Sequence, residues 1–190
     1  MAETRQRGEI IPSPIFGMLI FVGTEIMFFG ALISGYLVIR GAEPFWPPPL
    51  QPRLPVEATA FNTLVLVISG ILFYWAHRSD NVTDPALRKK LGWAMLLGLF
   101  FLVFQGYEWI NLIGFGLTVK SSVYGALFYL IIGAHALHVV VALIFMLYLY
   151  IRMHPDRVST LNPATLTAGK ILWTFVVAVW PVLYGVVYLY

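Results

Sequence analysis

The chain contains no cysteine. Disulfides, thiolate-bound zinc, iron–sulfur clusters and a cysteine nucleophile are therefore excluded together. Charge is scarce too: Asp, Glu, Lys and Arg make up 11% of the 190 residues, where a soluble domain carries about 25%. A surface so poor in charge faces something other than water. The formal net charge of +3 is too small to point to nucleic acid as a partner. Internal repeats and low-complexity tracts are absent.

What the chain has in quantity is apolar and aromatic. Hydrophobic residues make up 59%, and 14 Phe, 10 Tyr and 6 Trp suit a lipid-facing bundle with interfacial rings. A spanning helix needs about 20 mostly apolar residues. The stretches Ile15–Ile39, Ala58–His77, Leu91–Ile113, Val123–Ile151 and Ile171–Tyr190 qualify. They are too long and too uniformly apolar for barrel strands. The predicted fold is all-α, a polytopic membrane bundle of five transmembrane helices. Residues 1–14 form a cytoplasmic tail and residues 15–190 the membrane domain. The first apolar run, about 25 residues, exceeds the core of a signal peptide and reads as a permanent span.

The connections are short. The first holds Pro44, Pro47, Pro48, Pro49, Pro52 and Pro55 and predicts an extended interfacial strap. In the second, Thr83 or Asp84 is placed to cap a helix entered through Pro85. Cationic residues set the orientation. Arg5, Arg7, Arg78, Arg88, Lys89, Lys90, Arg152, Arg157 and Lys170 fall on one side, against Arg40, Arg53 and Lys120 on the other. The N-terminus is expected in the cytoplasm and Tyr190 outside.

Ionisable residues inside a span cost about 2.5–3.5 kcal/mol near a helix centre and need an explanation. Here they are Glu25, Glu108, His135 and His138, with His77 and His154 at helix ends and read as interfacial. Glu25 lies roughly 15 Å into its span. An unpartnered carboxylate so deep is expected to be neutral. It is either a proton-active or lipid-sensing acid, or a neutral acid hydrogen-bonded inside the bundle. His135 and His138, spaced i, i+3, share one helix face. Measured from the cytoplasmic side, Glu108 lies roughly 26 Å up, His135 roughly 24 Å and His138 roughly 20 Å. These heights predict that Glu108 and His135 lie within direct or water-bridged reach, in a structural polar network of Glu108, His135 and His138. Sparse histidines on one face, with no further ligand at that level, argue against a metal or haem in this chain. The small residues Gly23, Gly30, Ala31, Ser34 and Gly35 are expected to serve ordinary packing within the bundle.

Phe21-Val22-Gly23-Thr24-Glu25-Ile26-Met27-Phe28-Phe29 is similar to the opening of the core bundle of haem–copper oxidase subunit III. Further matches follow in family order. They are Trp46-Pro47-Pro48, Asn62-Thr63, Ser69-Gly70, Trp75-Ala76-His77, Gln105-Gly106-Tyr107-Glu108, Tyr124-Gly125 with Phe128, Gly133-Ala134-His135-Ala136-Leu137-His138, and Trp173, Phe175-Val176, Trp180 and Tyr184. Their order and spacing together make the resemblance specific, and it covers about residues 15–190. It implies a non-catalytic subunit of a proton-pumping terminal oxidase, with haems and copper in subunits I and II and no catalytic, cofactor or metal residue in this chain. It implies contact with subunit I, with other oxidase subunits and with phospholipid, allows a respiratory supercomplex, and places the protein in a bacterial cytoplasmic membrane. Glu25 matches the family's carbodiimide-reactive carboxylate, a buried acid that tunes proton uptake. Arg152 matches a position linked to phospholipid headgroups.

The chain resembles the five-helix form, without the two leading helices that wall the lipid cleft of the seven-helix form. It reads Trp173-Thr174-Phe175-Val176-Val177 where the family usually has W-H-F-V-D, and Pro181 in the last helix should kink it or need a compensating neighbour. Neighbouring readings are the same subunit of a quinol oxidase or a nitric oxide reductase-associated relative. From other classes come a small transporter with Glu25 as its proton site, and a stand-alone membrane metalloenzyme using Glu108, His135 and His138. The topology is testable directly. Reporter fusions should place the N-terminus in the cytoplasm and Tyr190 outside; a cytoplasmic C-terminus would contradict the span count.

Overall fold

The computed structural model describes residues 12–76, 84–154 and 161–190. The elements are α1 (Ser13–Ala42), α2 (Val56–Ala76), α3 (Pro85–Gly114), α4 (Val123–Arg152) and α5 (Pro163–Tyr184), the last continued by a π-helical turn, Gly185–Leu189. All five helices are long and apolar enough to cross a membrane. Each predicted span falls within one helix, apart from His77 at the end of the second and the last residues of the fifth. The helices overrun the apolar runs because their ends are capped in polar sequence. Asp84 accepts from the Ala86 N–H at 2.8 Å with Pro85 next to the cap, so Asp84 is a cap of α3. Asn162 accepts from Ala164 N–H at 2.9 Å and starts α5 at Pro163, ahead of the predicted Ile171. Ser122 caps α4 through the Gly125 N–H at 3.1 Å. Such caps satisfy amide donors that no helical carbonyl reaches. Thr83 and His77 lie outside the described residues.

Helix α5 is the axis of the bundle. It packs on α1, α2 and α4, while α2 packs on α3, α3 on α4, and α4 more lightly on α1. Half of the α5 span is buried, against 6% of α1. Aromatic donors from α5 fasten α2. Trp173 Nε1 donates to Ser69 Oγ at 3.2 Å, and Ser69 in turn to the Ala94 carbonyl of α3 at 2.7 Å. One heptad later, Trp180 Nε1 donates to Thr63 Oγ1 at 2.8 Å, and Tyr184 OH to the Val56 carbonyl at 3.0 Å. Asn62 adds a bond from α2 to the Phe101 carbonyl of α3 at 3.1 Å. Apolar contact with lipid competes equally with apolar contact between helices, so such bonds and close packing hold a bundle together.

The close approaches fall where glycine removes a side chain. A Cβ at Gly98 of α3 would lie 2.5 Å from the Trp173 ring, and one at Gly70 of α2 would lie 2.8 Å from Val177. The small residues of α1 behave differently. No atom lies within 4 Å of a Cβ built at Gly23, Gly30 or Gly35. The expected packing role within the bundle is therefore corrected for these glycines. They open onto the side of α1 that the chain does not cover, because α1 sits at the rim of the ring around α5. Pro181 does not break α5. The helix runs on to Tyr184 and then widens into the π turn, which carries Tyr188 inward to 8% exposure.

The strap residues between α1 and α2 fold back over one end of the bundle. Trp46 stands edge-on between Tyr36 and Tyr124, at 5.6 and 5.2 Å between ring centroids, and its Nε1 donates to Tyr36 OH at 3.1 Å. In the purified protein, Gly98→Leu should destabilise by about 1–3 kcal/mol through overpacking against Trp173. Gly30→Ala should stay within about 0.5 kcal/mol. Thermal unfolding in detergent reads both, and equal effects would contradict the assignment of close contact to α3 rather than α1.

Candidate functional site

The intramembrane ionisable residues form two separate centres. Glu25 of α1 and His138 of α4 make the first: His138 Nε2 lies 2.8 Å from Glu25 Oε2, and the side chains are 17% and 16% exposed. His138 Nδ1 lies 2.7 Å from the Ala134 carbonyl. A carbonyl only accepts, so Nδ1 carries hydrogen. A single further proton then lies between Nε2 and Oε2. It sits on the acid, giving a neutral pair, or on the ring, giving an imidazolium–carboxylate pair. Either way the pair has no net charge, which removes the largest cost of placing these groups in a bilayer. Phe29 closes one side, its ring centroid 5.2 Å from that of His138 and 6.3 Å from that of His135.

Glu108 is the second centre, on α3 and 4% exposed. Its Oε2 lies 3.0 Å from Thr59 Oγ1 of α2 and 3.5 Å from Gln105 Nε2 one turn earlier. Gln105 Nε2 also donates to Tyr188 OH at 3.3 Å. Thr59 Oγ1 lies 2.8 Å from the Pro55 carbonyl as well. A threonine hydroxyl has one hydrogen and cannot serve two acceptors. With Glu108 neutral, its Oε2–H donates to Thr59 and Thr59 donates to Pro55, so both contacts are hydrogen bonds. With Glu108 ionised, one of them is lost. The neutral acid leaves Oε1 without a partner among the described residues, and an unpaired carbonyl oxygen costs far less than an unpaired charge.

Glu108 and His135 make no direct hydrogen bond. Both ring nitrogens of His135 are buried without a hydrogen-bond partner among the described residues. The ring stacks on Trp180 of α5 at 4.9 Å between centroids and meets the edge of Phe101 at 6.2 Å. The reason is azimuth. Residues three apart on a helix still point about 60° away from each other. That is enough to aim His138 at α1 and His135 at α5, while Glu108 turns to α2. The predicted network of Glu108, His135 and His138 is thus divided, and Glu25, read alone in the sequence, gains a partner. The heights of Glu25 and His138, roughly 15 and 20 Å, already matched, so a signal for the pair was available. Thr59, Gln105 and Tyr188 were missed. Gln105 and Glu108 at i, i+3 were the sequence trace of the second centre.

Arg152 ends α4, half-buried, its guanidinium carbon 6.0 Å from the Tyr148 ring centroid. His154 follows it, exposed at the helix end. Thr174, Val177 and Pro181 all line an almost wholly apolar groove of about 440 Å³ between α2 and α5. Val177 there fills the space over Gly70. Among the described residues no three His, Asp or Glu side chains gather where a metal ion would be held.

The two histidines give opposite expectations. His138→Phe strands Glu25 and should cost about 1–3 kcal/mol. His135→Phe keeps the stack on Trp180, gives up no hydrogen bond among the described residues, and should cost less than about 1 kcal/mol. Unfolding of the two variants in detergent compares them, and a larger loss at His135 would contradict the division.

Comparison with known proteins follows the same lines. Residues 11–190 match the family described as cytochrome c oxidase subunit III. A protein of Mycobacterium leprae called probable cytochrome c oxidase subunit 3 is 36% identical over 180 residues, covering 90% of this chain and 85% of the relative. A Nocardia farcinica protein of the same description is also 36% identical, with the same coverage. The cytochrome c oxidase subunit 3 of Synechocystis is 32% identical, covering 92% of this chain and 75% of that protein. By this match and these relatives, the chain belongs to the cytochrome c oxidase subunit III family.

Proposed function

We propose that the chain is the subunit III of a proton-pumping haem–copper terminal oxidase of a bacterial cytoplasmic membrane, taking no part in electron transfer and supporting proton uptake by subunit I. The observation that carries this reading is the Glu25–His138 pair. It is a proton-sharing site set on the rim helix α1 and its neighbour α4. Electrons, haem and copper belong to subunits I and II. Bacterial relatives described as cytochrome c oxidase subunit 3 favour cytochrome c over quinol as the donor to the complex.

The chain's own residues account for the role in steps. The bilayer excludes an unpaired carboxylate, so Glu25 persists only by sharing a proton with His138. The pair keeps limited exposure at the α1–α4 seam, where a neighbouring subunit can reach its proton. The uncovered glycine side of α1 supplies a surface that lets another helix approach closely, and subunit I is the partner assigned to it. Arg152, at the end of α4, is the residue to which we assign a phospholipid headgroup contact.

Glu25→Gln tests the role. The amide keeps the shape and donates one hydrogen to His138 Nε2, but it neither ionises nor passes a proton. The assembled oxidase should keep its initial rate of oxygen reduction, while sustained turnover falls or its pH dependence changes. Turnover identical to wild type at every pH would reduce the pair to a structural bond. Immediate loss of oxygen reduction in a fully assembled complex would place Glu25 in the chemistry itself, against this reading.

A further inference from the structure

At the Tyr190 end of the bundle a pocket of about 180 Å³ opens beneath the strap. Arg40, at the end of α1, and Arg53, in the strap, line it together with Trp46, Tyr124, Tyr188 and Tyr190. No Asp or Glu side chain is among the lining residues. Glu43 and Glu57 belong to the same end of the molecule but do not line the pocket. Neither arginine forms an ion pair among the described residues. The Arg40 guanidinium lies 4.1 Å from the Tyr190 ring centroid, a contact through the ring that uses none of its N–H donors.

Two cations sharing one small pocket repel each other unless an anion lies with them. Arginine's planar fork of donors matches phosphate and carboxylate oxygens in pairs. The volume is that of about six water molecules at roughly 30 Å³ each. It admits a small oxyanion and excludes an acyl chain or a peptide helix. The setting selects among oxyanions. Trp46, Tyr124 and Tyr190 surround the pocket at the helix ends, the level at which aromatic belts mark the lipid–water boundary. An anion held at that level in every membrane is the phosphodiester of a phospholipid.

We propose that Arg40 and Arg53 form a phosphate-binding site for the headgroup of a phospholipid in the leaflet on the Tyr190 side. The lipid's chains run down the outside of the bundle while its phosphate enters the pocket. This site is at the opposite end of the bundle from Arg152 and is independent of it. It is also independent of the Glu25–His138 pair.

The test uses the intact oxidase complex, stripped of lipid in detergent and offered phosphatidylglycerol, with retained lipid counted by native mass spectrometry. A parallel titration with inorganic phosphate follows tryptophan fluorescence, since Trp46 lines the pocket. The variants are Arg40→Gln, Arg53→Gln, the double substitution, and Lys120→Gln as a same-side cation outside the pocket. Each arginine substitution should weaken retention of the lipid about tenfold, and the double variant should lose it, with Lys120→Gln unchanged. A saturable response to inorganic phosphate, absent from the double variant and without lipid retention, would uphold the oxyanion site and overturn the lipid as its source. Equal retention by wild type and an assembled double variant would overturn the proposal. So would an equal loss in Lys120→Gln, which reduces the effect to surface charge. Should Arg40→Gln disturb assembly, Arg53→Gln on the exposed strap carries the same comparison.

Discussion

Water is missing from the hydrocarbon core, and every polar group placed there must find its partner within the protein. The bundle is arranged around that requirement. Several polar side chains in the spans make short bonds that each tie two helices: Ser69 to α3, Trp173, Trp180 and Tyr184 to α2, Thr59 to Glu108, and Glu25 to His138; His135 instead stacks on Trp180, its ring nitrogens without a partner among the described residues. Individually such bonds contribute only about 0.6 kcal/mol on average. Their larger effect is negative: breaking one leaves a buried group unpaired, so alternative packings are disfavoured. Glycines at positions 70 and 98 set the distance at which α5 meets α2 and α3.

The same requirement separates two kinds of acid. Glu108 is held by neutral donors and acceptors deep between α2, α3 and the π turn, where proton counting makes it a hydrogen-bond donor. Glu25 is held by a titratable base at a seam that retains some exposure. The first arrangement locks a proton in place, and the second leaves it shared. The proposed role therefore falls on Glu25 and His138 rather than on the more deeply buried acid.

Much of this was legible in the sequence, and the limits are physical. Long apolar runs set the number and class of helices, because the thickness of the bilayer converts directly into chain length. The motif order named the family before any geometry was known. Heights along the helices were also legible, since 1.5 Å per residue needs no structure. Azimuth was not, because the rotation of a helix about its axis depends on all its neighbours. That is why Glu108 and His135 share a level yet make no bond, and why the glycines of α1 proved to be uncovered. Helix ends beyond the apolar runs were fixed by Asp84 and Asn162, polar signals that hydropathy alone passes over. The inward turn of Tyr188 depends on a π-helical widening after Pro181 that no propensity announces.

The central claim is that Glu25 and His138 act as one proton-sharing unit. A double-mutant cycle combining Glu25→Leu with His138→Phe, read by unfolding of the assembled protein in detergent, tests it most directly. The account predicts a coupling energy of about 0.5–3 kcal/mol between the two sites, as for residues in direct contact. Additivity of the two substitutions within about 0.3–0.5 kcal/mol, as for independent sites, would contradict it.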